Sequence, residues 1–447
     1  MKETYYKQLY CNMTDKFYHR FDDFITVRWS GQDIGGIHEE ERKIAYRKFY
    51  YEVKRSDVAN RQTIRRWFGL DPERSIPSRK QIFKIALAAG LSPKETEEYL
   101  KQGISQPGFQ MSDYREFIIR YCLEHRKGCD ICRKMISFYE QKAQNRGKWE
   151  QESNTKWIRE QYSLVKDYSE EELVVWMCKN QKYFKGYSLT NLQCYRELLQ
   201  QCLIFLRKDV KEALARALDE AGFFEWQNEH GNKNVNNDQE IERFVKNRLR
   251  SKKQYISQED AREIRKLATM AYAPQERMSD LVLEIYSAMP GRDKHQERYA
   301  LYNALGGELK RVDRKYISEL LNMAVLKEKQ MILQMELAAE TDEKQRQKKE
   351  KELKKFRQRV HLIGRSDLLV LAQYIIYRRL EEYSLLYDKP YNQKEAQEEF
   401  REYADGILEM CGMRKIDQNY MLDHVLMECF AEEDMYLFSE VIEGGEN

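Results

Sequence analysis

The sequence predicts an all-α protein assembled from helical hairpins. Only seven prolines and twenty glycines interrupt 447 residues, while Glu, Lys, Arg, Gln, Leu and Ala, which favour helices, fill long windows. Apolar residues recur at helical spacing, for example from Ile317 to Leu337. A chain of this length exceeds one ordinary core, so we expect roughly two to four domains.

Polar or glycine-rich stretches divide the chain. "RWSGQDIGGIHEEE" has glycines at 31, 35 and 36, and "NEHGNKNVNNDQE" (228–240) has almost no apolar content, which is typical of a linker. The predicted segments are 1–44, an N-terminal extension with a glycine-rich loop; 45–140, a helix-turn-helix module with a following hairpin; 157–228 and 238–340, two helical domains; and 341–447, a charged connecting helix with an acidic helical domain.

The net charge of +3 hides an asymmetry along the chain. Residues 395–447 contain fifteen Asp/Glu and three Lys/Arg, a balance of −12, so the preceding residues carry +15. This polarisation suits a protein with one surface for an anionic partner and another for self-association or a basic partner. Charge also segregates by chance in long helical proteins, and that alternative stays open.

The stretch "NRQTIRRWFGLDPERSIPSRKQIFKIALAAGLSPKETEEYL" (60–100) predicts three short helices. Asn60 is placed to cap the first helix. Ile64, Trp67 and Phe68 fall at i, i+3 and i+4 and form one apolar stripe. The opposite side carries Arg61, Gln62, Arg65 and Arg66. A short helix with a cationic outer side fits the major groove of DNA.

Capping signals define the next two helices. Ser78 and Gln81 form a capping box at the start of the second helix, and Gly90 provides its end. "SPKE" (92–95) then supplies a cap, a proline at the first helical position and a capping glutamate. Ser169 and Glu172 form a further predicted capping box.

The segments "SDVANRQTIRRWFG" and "PSRKQIFKIALAAGLSPKETEEYL" together resemble the second half of the lambda-repressor-like (XRE-type) helix-turn-helix domain. The resemblance covers about residues 45–100. It implies a transcriptional regulator that binds double-stranded DNA sequence-specifically as a homodimer. The implied DNA-binding residues are Asn60, Arg61, Gln62, Arg65, Arg66 and Arg55, of which Arg61, Gln62 and Arg65 would approach bases and Arg66 or Arg55 the phosphates.

The sequence departs from this family in two places. The glycine-rich loop at 30–37 lies where the first scaffold helix is expected, and the connection "GLDPERSI" is longer than usual. One alternative is therefore a protein-interaction or scaffold protein with a vestigial helix-turn-helix and a solvated arginine side. A second is a phage-defence-type effector, and a peptide or protein partner could bind the helical body.

Other motifs favour no catalysis and no cofactor. No G-x-S-x-G, H-E-x-x-H or nucleotide-binding glycine loop occurs, so we do not predict an enzyme. Cys122, His125, Cys129 and Cys132 are residue types that bind zinc. On an unbroken helix the outer pair would lie about 15 Å apart, so one ion could be enclosed only if the helix broke at Gly128. We predict buried or boundary thiols and no metal.

Two further basic runs, 246–253 and 344–359, are weaker candidates for contact with nucleic acid; the second is more typical of a solvated helix with internal ion pairs. An odd number of cysteines, nine, suits reduced thiols. With no apolar run long enough for a membrane span and no signal-peptide pattern, we expect a cytoplasmic protein.

Overall fold

A computed structural model confirms the all-α prediction. It describes the residues 20–30, 39–72, 75–104, 106–143, 155–184, 186–230, 237–251, 255–272, 282–283, 285–286, 312–357, 359–418 and 420–443. Within these ranges there are twenty α-helices and no β-strand, apart from one isolated bridge between Phe430 and Met435.

The first nine helices lie before residue 180. They are α1 Phe21–Ser30, α2 Glu39–Val53, α3 Arg61–Trp67, α4 Arg79–Ala89, α5 Pro93–Gln102, α6 Tyr114–Glu124, α7 Cys129–Lys142, α8 Thr155–Val165 and α9 Glu170–Lys179. A short 3-10 turn, Gln181–Tyr183, follows α9. None of these nine exceeds 15 residues, because caps and turns end each one after two to four turns.

The remaining helices include the two longest in the described ranges. They are α10 Leu189–Glu220, α11 Phe223–His230, α12 Asn237–Arg248, α13 Gln258–Tyr272, α14 Arg314–Leu321, α15 Met323–Ala339, α16 Glu343–Arg357, α17 Arg365–Tyr387, α18 Gln393–Met410, α19 Met421–Glu428 and α20 Phe438–Glu443. The helix α10 spans 32 residues and packs along α13 and α17.

Buried apolar side chains form two clusters. The N-terminal cluster runs from Phe21 to Phe184, and the C-terminal cluster runs from Tyr187 to Val441. The segment 157–228, expected as one domain, is divided between them, since α8 and α9 contribute to the first cluster and α10 to the second. The helix α15 joins the two, because its Met323 belongs to the C-terminal cluster and its Met331 to the N-terminal one.

The helix α1 belongs to the core of the N-terminal module. Phe21 makes edge-on contacts with Phe49, Trp67, Phe68 and Tyr99 at centroid distances of 5.4 to 5.8 Å. Two ion pairs tie the polar side of α1 to its neighbours, Arg42 with Asp23 at 3.1 Å and Arg28 with Glu95. The helix α1, which lies within the predicted N-terminal extension 1–44, thus packs into the N-terminal cluster. The glycines at 31, 35 and 36 lie outside the described residues.

The predicted linker 228–240 begins within α11 and ends within α12, and its residues 231–236 lie outside the described residues. The charged helix α16 packs on α15 and exposes most of its Lys and Arg side chains, while Leu353 is buried. Among the helices described, none combines the length and the apolarity that crossing a bilayer requires.

Candidate nucleic-acid interface and an adjacent cavity

The helix α3 forms as its sequence predicts. The Asn60 side-chain oxygen accepts a hydrogen bond from the Thr63 backbone N–H at 2.8 Å and caps the first turn. Ile64, Trp67 and Phe68 are 1, 3 and 1 % exposed. Their contact with Phe21 and Phe49 determines which side of α3 is left for solvent.

The predicted capping boxes of α4 and α5 are confirmed. The Ser78 N–H donates to the Gln81 side chain at 2.8 Å, and the Ser92 N–H donates to Glu95 at 2.7 Å. Gly90 ends α4 at a φ of +64°, a left-handed conformation that only glycine adopts without strain. These local contacts place α4 and α5 against α2, α6 and one another.

Four of the predicted DNA-contacting residues are open to solvent, and one of them, Asn60, uses its side chain to cap α3. Arg61 and Gln62 lie exposed in the first turn of α3, and Arg55 is exposed in the connection between α2 and α3. The Arg61 Nε donates to the Tyr46 hydroxyl at a long 3.4 Å, and its guanidinium lies 5.8 Å from the centroid of the Tyr50 ring. The first turn of α3 is therefore positioned against α2, with no acid paired to Arg61 among the described residues.

The other arginines of α3 are placed differently. Arg65 is held by its own chain, since its Nε donates to the Asp71 carboxylate at 2.9 Å and its Nη2 to the Leu70 carbonyl at 2.8 Å. These bonds close the turn after α3 and use two of the five guanidinium N–H donors of Arg65. Arg66 is partly buried. The polar side of α3 is thus narrower than helical spacing alone suggests.

A basic stripe on α2 was not identified from the sequence. Arg47 and Lys48 are exposed on its outer side, and Lys54 is exposed just after its end, stacked 4.0 Å from the Tyr51 ring. The helical spacing of these cations, opposite the buried Ala45, Phe49 and Val53, could have indicated this stripe from the sequence. We call the exposed side chains of Arg47, Lys48, Lys54, Arg55, Arg61 and Gln62 the α2–α3 basic surface.

The connection between α2 and α3 is a clear departure from the usual motif. It contains the seven residues 54–60, whereas a DNA-binding helix-turn-helix has a turn of about three or four. Asp57 takes a positive φ of 47° within it. Because this connection is longer, the resemblance does not fix the docking geometry of α3.

A cavity of about 620 Å³ lies beside α4. Its walls come from the α2–α3 connection and from α4, α6, α7, α15 and α16, so residues from 56 to 357 in the chain meet there. Seven Lys/Arg and four Asp/Glu line it, giving a net charge of +3, together with apolar groups such as Phe83, Leu87 and Ile136. No sequence motif pointed to it, because its wall residues are far apart along the chain.

The four zinc-type residues do not come together as one set, although the thiols of Cys122 and Cys132 lie within hydrogen-bond reach of each other. The chain does break between α6 and α7, with Gly128 preceding Cys129. However, the Cys122 thiol contacts the Met135 sulfur at 3.8 Å, His125 Nε2 contacts the Lys166 carbonyl at 2.7 Å, and the Cys129 thiol contacts the Lys84 carbonyl at 4.0 Å. Among the residues described, no group of three His, Cys, Asp or Glu is placed to hold a metal ion.

Comparison of the chain with family models, with curated proteins and with solved structures gives no match.

Proposed function

We propose that the protein binds double-stranded DNA sequence-specifically through the α2–α3 basic surface and acts as a transcriptional regulator. The observation that carries this proposal is the orientation of α3. Its apolar side is buried against α1 and α2, and its first turn offers Arg61 and Gln62 to solvent beside the cations of α2.

The chemistry of these side chains suits two different kinds of contact. Arginine pairs with the two acceptors of guanine in the major groove, and glutamine pairs with adenine in the same way, so Arg61 and Gln62 would read bases. Arg47, Lys48, Lys54 and Arg55 would bind phosphates and set the orientation of the duplex. Arg65 has a structural role instead, because it is held by Asp71 and Leu70.

Charge on the α2–α3 basic surface supports an anionic partner. Five cations are exposed there, with Glu52 and Asp57 as the exposed acids nearby in sequence, so the balance is positive. Each phosphate that a protein cation neutralises releases counterions, so affinity for DNA should fall steeply as salt rises. A solvated surface without a ligand would show no such dependence.

Selection of bound fragments from random duplex DNA at two salt concentrations tests the proposal. The wild-type chain should enrich a short motif at both, with weaker total binding at the higher salt. The variant Arg61→Ala/Gln62→Ala should keep salt-dependent binding to random duplexes and lose the motif, since only base contacts are removed. The matched control Arg243→Ala/Arg262→Ala, two exposed arginines on α12 and α13, should select the wild-type motif.

Failure of the wild-type chain to enrich any motif would overturn the proposal of sequence-specific recognition. Salt-dependent binding without a motif would leave only backbone contact. Enrichment of the same motif by the wild-type chain and by Arg61→Ala/Gln62→Ala would show that another surface reads the bases.

We also propose that the chain self-associates through the end of α17. Leu385, Leu386 and Tyr387 are 81, 76 and 67 % exposed, next to Tyr383. Consecutive large apolar side chains at such exposure mark interaction surfaces. The same feature also favours the alternative function, that of a protein-interaction or scaffold protein. Light scattering should give the mass of a dimer for the wild type and of a monomer for Leu385→Glu/Leu386→Glu; equal masses would contradict the proposal.

A further inference from the structure

The cavity beside α4 has more cations than its own acids neutralise. Glu116 is bound by Arg79, with N–O distances of 2.9 and 2.6 Å, and also accepts from the Gln110 N–H at 2.7 Å. Glu140 is bound by Arg115 at 2.5 Å and by the Tyr114 hydroxyl at 2.5 Å. The charges of these two carboxylates are thus already balanced by arginines of the cavity wall.

The other two acids of the cavity are engaged as well. Asp113 accepts from the Arg115 backbone N–H at 2.9 Å and lies 3.4 Å from the Lys327 ammonium. Asp57 lies 3.4 Å from Lys84. Each of the four acids therefore already has a cationic neighbour.

Two cations remain at the mouth of the cavity. Lys80 on α4 and Arg357 at the end of α16 are both exposed, and in the described part of the chain neither forms a hydrogen bond or an ion pair. Partial burial of the ammonium group, and then repulsion from Arg357, Lys84 and Arg115, lower the pKa of Lys80, against a smaller attraction from Asp57. An anion placed between Lys80 and Arg357 would relieve that repulsion.

The interior of the cavity is apolar behind these cations. Phe83, Leu87, Ile119 and Ile136 line it, and Phe83 stacks on Phe109 at a centroid distance of 5.5 Å. A volume of about 620 Å³ is that of ordinary ligand sites, which combine apolar walls with a few polar groups. The combination selects a ligand with a charged end and an apolar body.

The thiols of the cavity do not suggest covalent chemistry. Burial raises the pKa of the Cys129 thiol, and a hydrogen bond with Cys122 followed by burial raises the pKa of Cys132. Both therefore stay protonated at neutral pH, and the thiolate is the reactive form. The site is suited to binding.

We propose that this cavity binds a small organic anion, with its phosphate or carboxylate group between Lys80 and Arg357 and its apolar or aromatic body against Phe83 and Leu87. The ligand would contact both α4 and the charged helix α16, which lie far apart in the sequence. The helix α4 in turn packs on α2. Binding of the anion does not depend on DNA binding; control of DNA binding by the anion would rest on the function proposed above.

A pair of fluorescent probes tests the site on the full chain. Anilinonaphthalene sulfonate carries an anionic group on an aromatic body, and phenylnaphthylamine is its uncharged analogue. Lys80→Gln/Arg357→Gln should weaken the sulfonate probe about tenfold or more, a loss that corresponds to about 1.4 kcal/mol. The matched control Arg243→Gln/Arg262→Gln removes two exposed cations on α12 and α13, which do not line the cavity, and should change its affinity less than about twofold.

Competition identifies the anionic group. Naphthyl phosphate and naphthoate should displace the sulfonate probe from the wild type, and the better competitor shows which acid the site prefers; naphthol should displace it poorly. Salt should weaken the sulfonate probe and leave phenylnaphthylamine unchanged, which tests the wild type without any variant.

Two results would overturn the proposal: equal affinity of the sulfonate probe for the two double variants, or displacement by naphthol as effective as by naphthyl phosphate. The DNA-binding variant Arg61→Ala/Gln62→Ala should bind the probe as the wild type does. Failure of the DNA proposal is therefore separable from failure of this one.

Discussion

The helices α3 and α4 each carry one cation that is open to solvent and one that is bound by the protein itself. On α3, Arg61 points to solvent while Arg65 is held by Asp71 and a carbonyl group. On α4, Lys80 stands at the cavity mouth while Arg79 is buried with Glu116. Helical spacing predicts the side on which a cation lies, and only the packed structure shows whether its donors are already used. The cations without acidic partners are the ones to which we assign ligands.

We expect the largest loss of unfolding free energy from breaking the buried ion pair between Arg79 and Glu116. Arg79 and Glu116 have side chains 9 and 10 % exposed and are joined by two hydrogen bonds, and Arg79 also donates to two carbonyl groups. Arg79→Ala leaves Glu116 buried without its cation and should lower the free energy of unfolding by about 3–5 kcal/mol. Lys80→Ala, its neighbour, should change it by less than about 0.5 kcal/mol. Urea unfolding checks both, and similar losses would contradict the distinction.

The second prediction concerns α1. Phe21 is 2 % exposed and touches four aromatic rings, so Phe21→Ala should cost about 3–5 kcal/mol of unfolding free energy through lost contacts and a cavity. Ile44→Ala, where the side chain is 50 % exposed, is the control and should cost far less. A small effect at Phe21, measured by thermal or urea unfolding, would mean that α1 is not part of the module.

The third prediction compares two buried acids. Glu116 is bound by the cation Arg79, whereas Asp367 is bound by a backbone N–H and a hydroxyl. Asp367 accepts from the Gly364 N–H at 2.7 Å and from the Tyr316 hydroxyl at 2.9 Å, and burial raises the pKa of its carboxyl to about 6 from 3.8. The folded state therefore holds this proton more tightly than the unfolded state. Its contribution to stability is fully present below about pH 4 and is lost as pH rises through about 6.

The variant Asp367→Asn removes this titration. Relative to the variant, the wild type should lose up to about 3 kcal/mol of unfolding free energy between pH 4 and pH 7, following about 1.4 kcal/mol per pKa unit. Denaturant unfolding at several pH values measures the difference. A difference that is constant with pH, or that grows in favour of the wild type, would contradict the assignment.

The smallest expected effect separates the two arginines of α3. Arg61→Ala should weaken binding to the selected duplex by about 1–3 kcal/mol, because it removes a base contact. Arg65→Ala should change DNA affinity by less than about threefold and lower stability by up to about 1 kcal/mol, because its pair is 40 % exposed at the arginine. Fluorescence anisotropy with a labelled duplex measures affinity. The reverse order would mean that Arg65 leaves Asp71 to meet the DNA.

Local chemistry could be predicted from the sequence, and long-range contacts could not. The capping pairs Ser78–Gln81, Ser92–Glu95 and Ser169–Glu172 are three residues apart, and all three are present in the structure. The burial of Ile64, Trp67 and Phe68 followed from their spacing. By contrast, the place of Phe21 depends on rings up to 78 residues away, and the cavity combines α4 with α16. The partner of Arg65, only six residues away, was missed because a turn sets it.

Hydrogen exchange of the full chain with and without its selected duplex tests the central claim most directly. Bound DNA should slow exchange of backbone amides in residues 47–66, which carry the α2–α3 basic surface, and should leave the basic segments 246–251 and 344–357 unchanged. Protection confined to those two segments, or no protection within 47–66, would contradict the account.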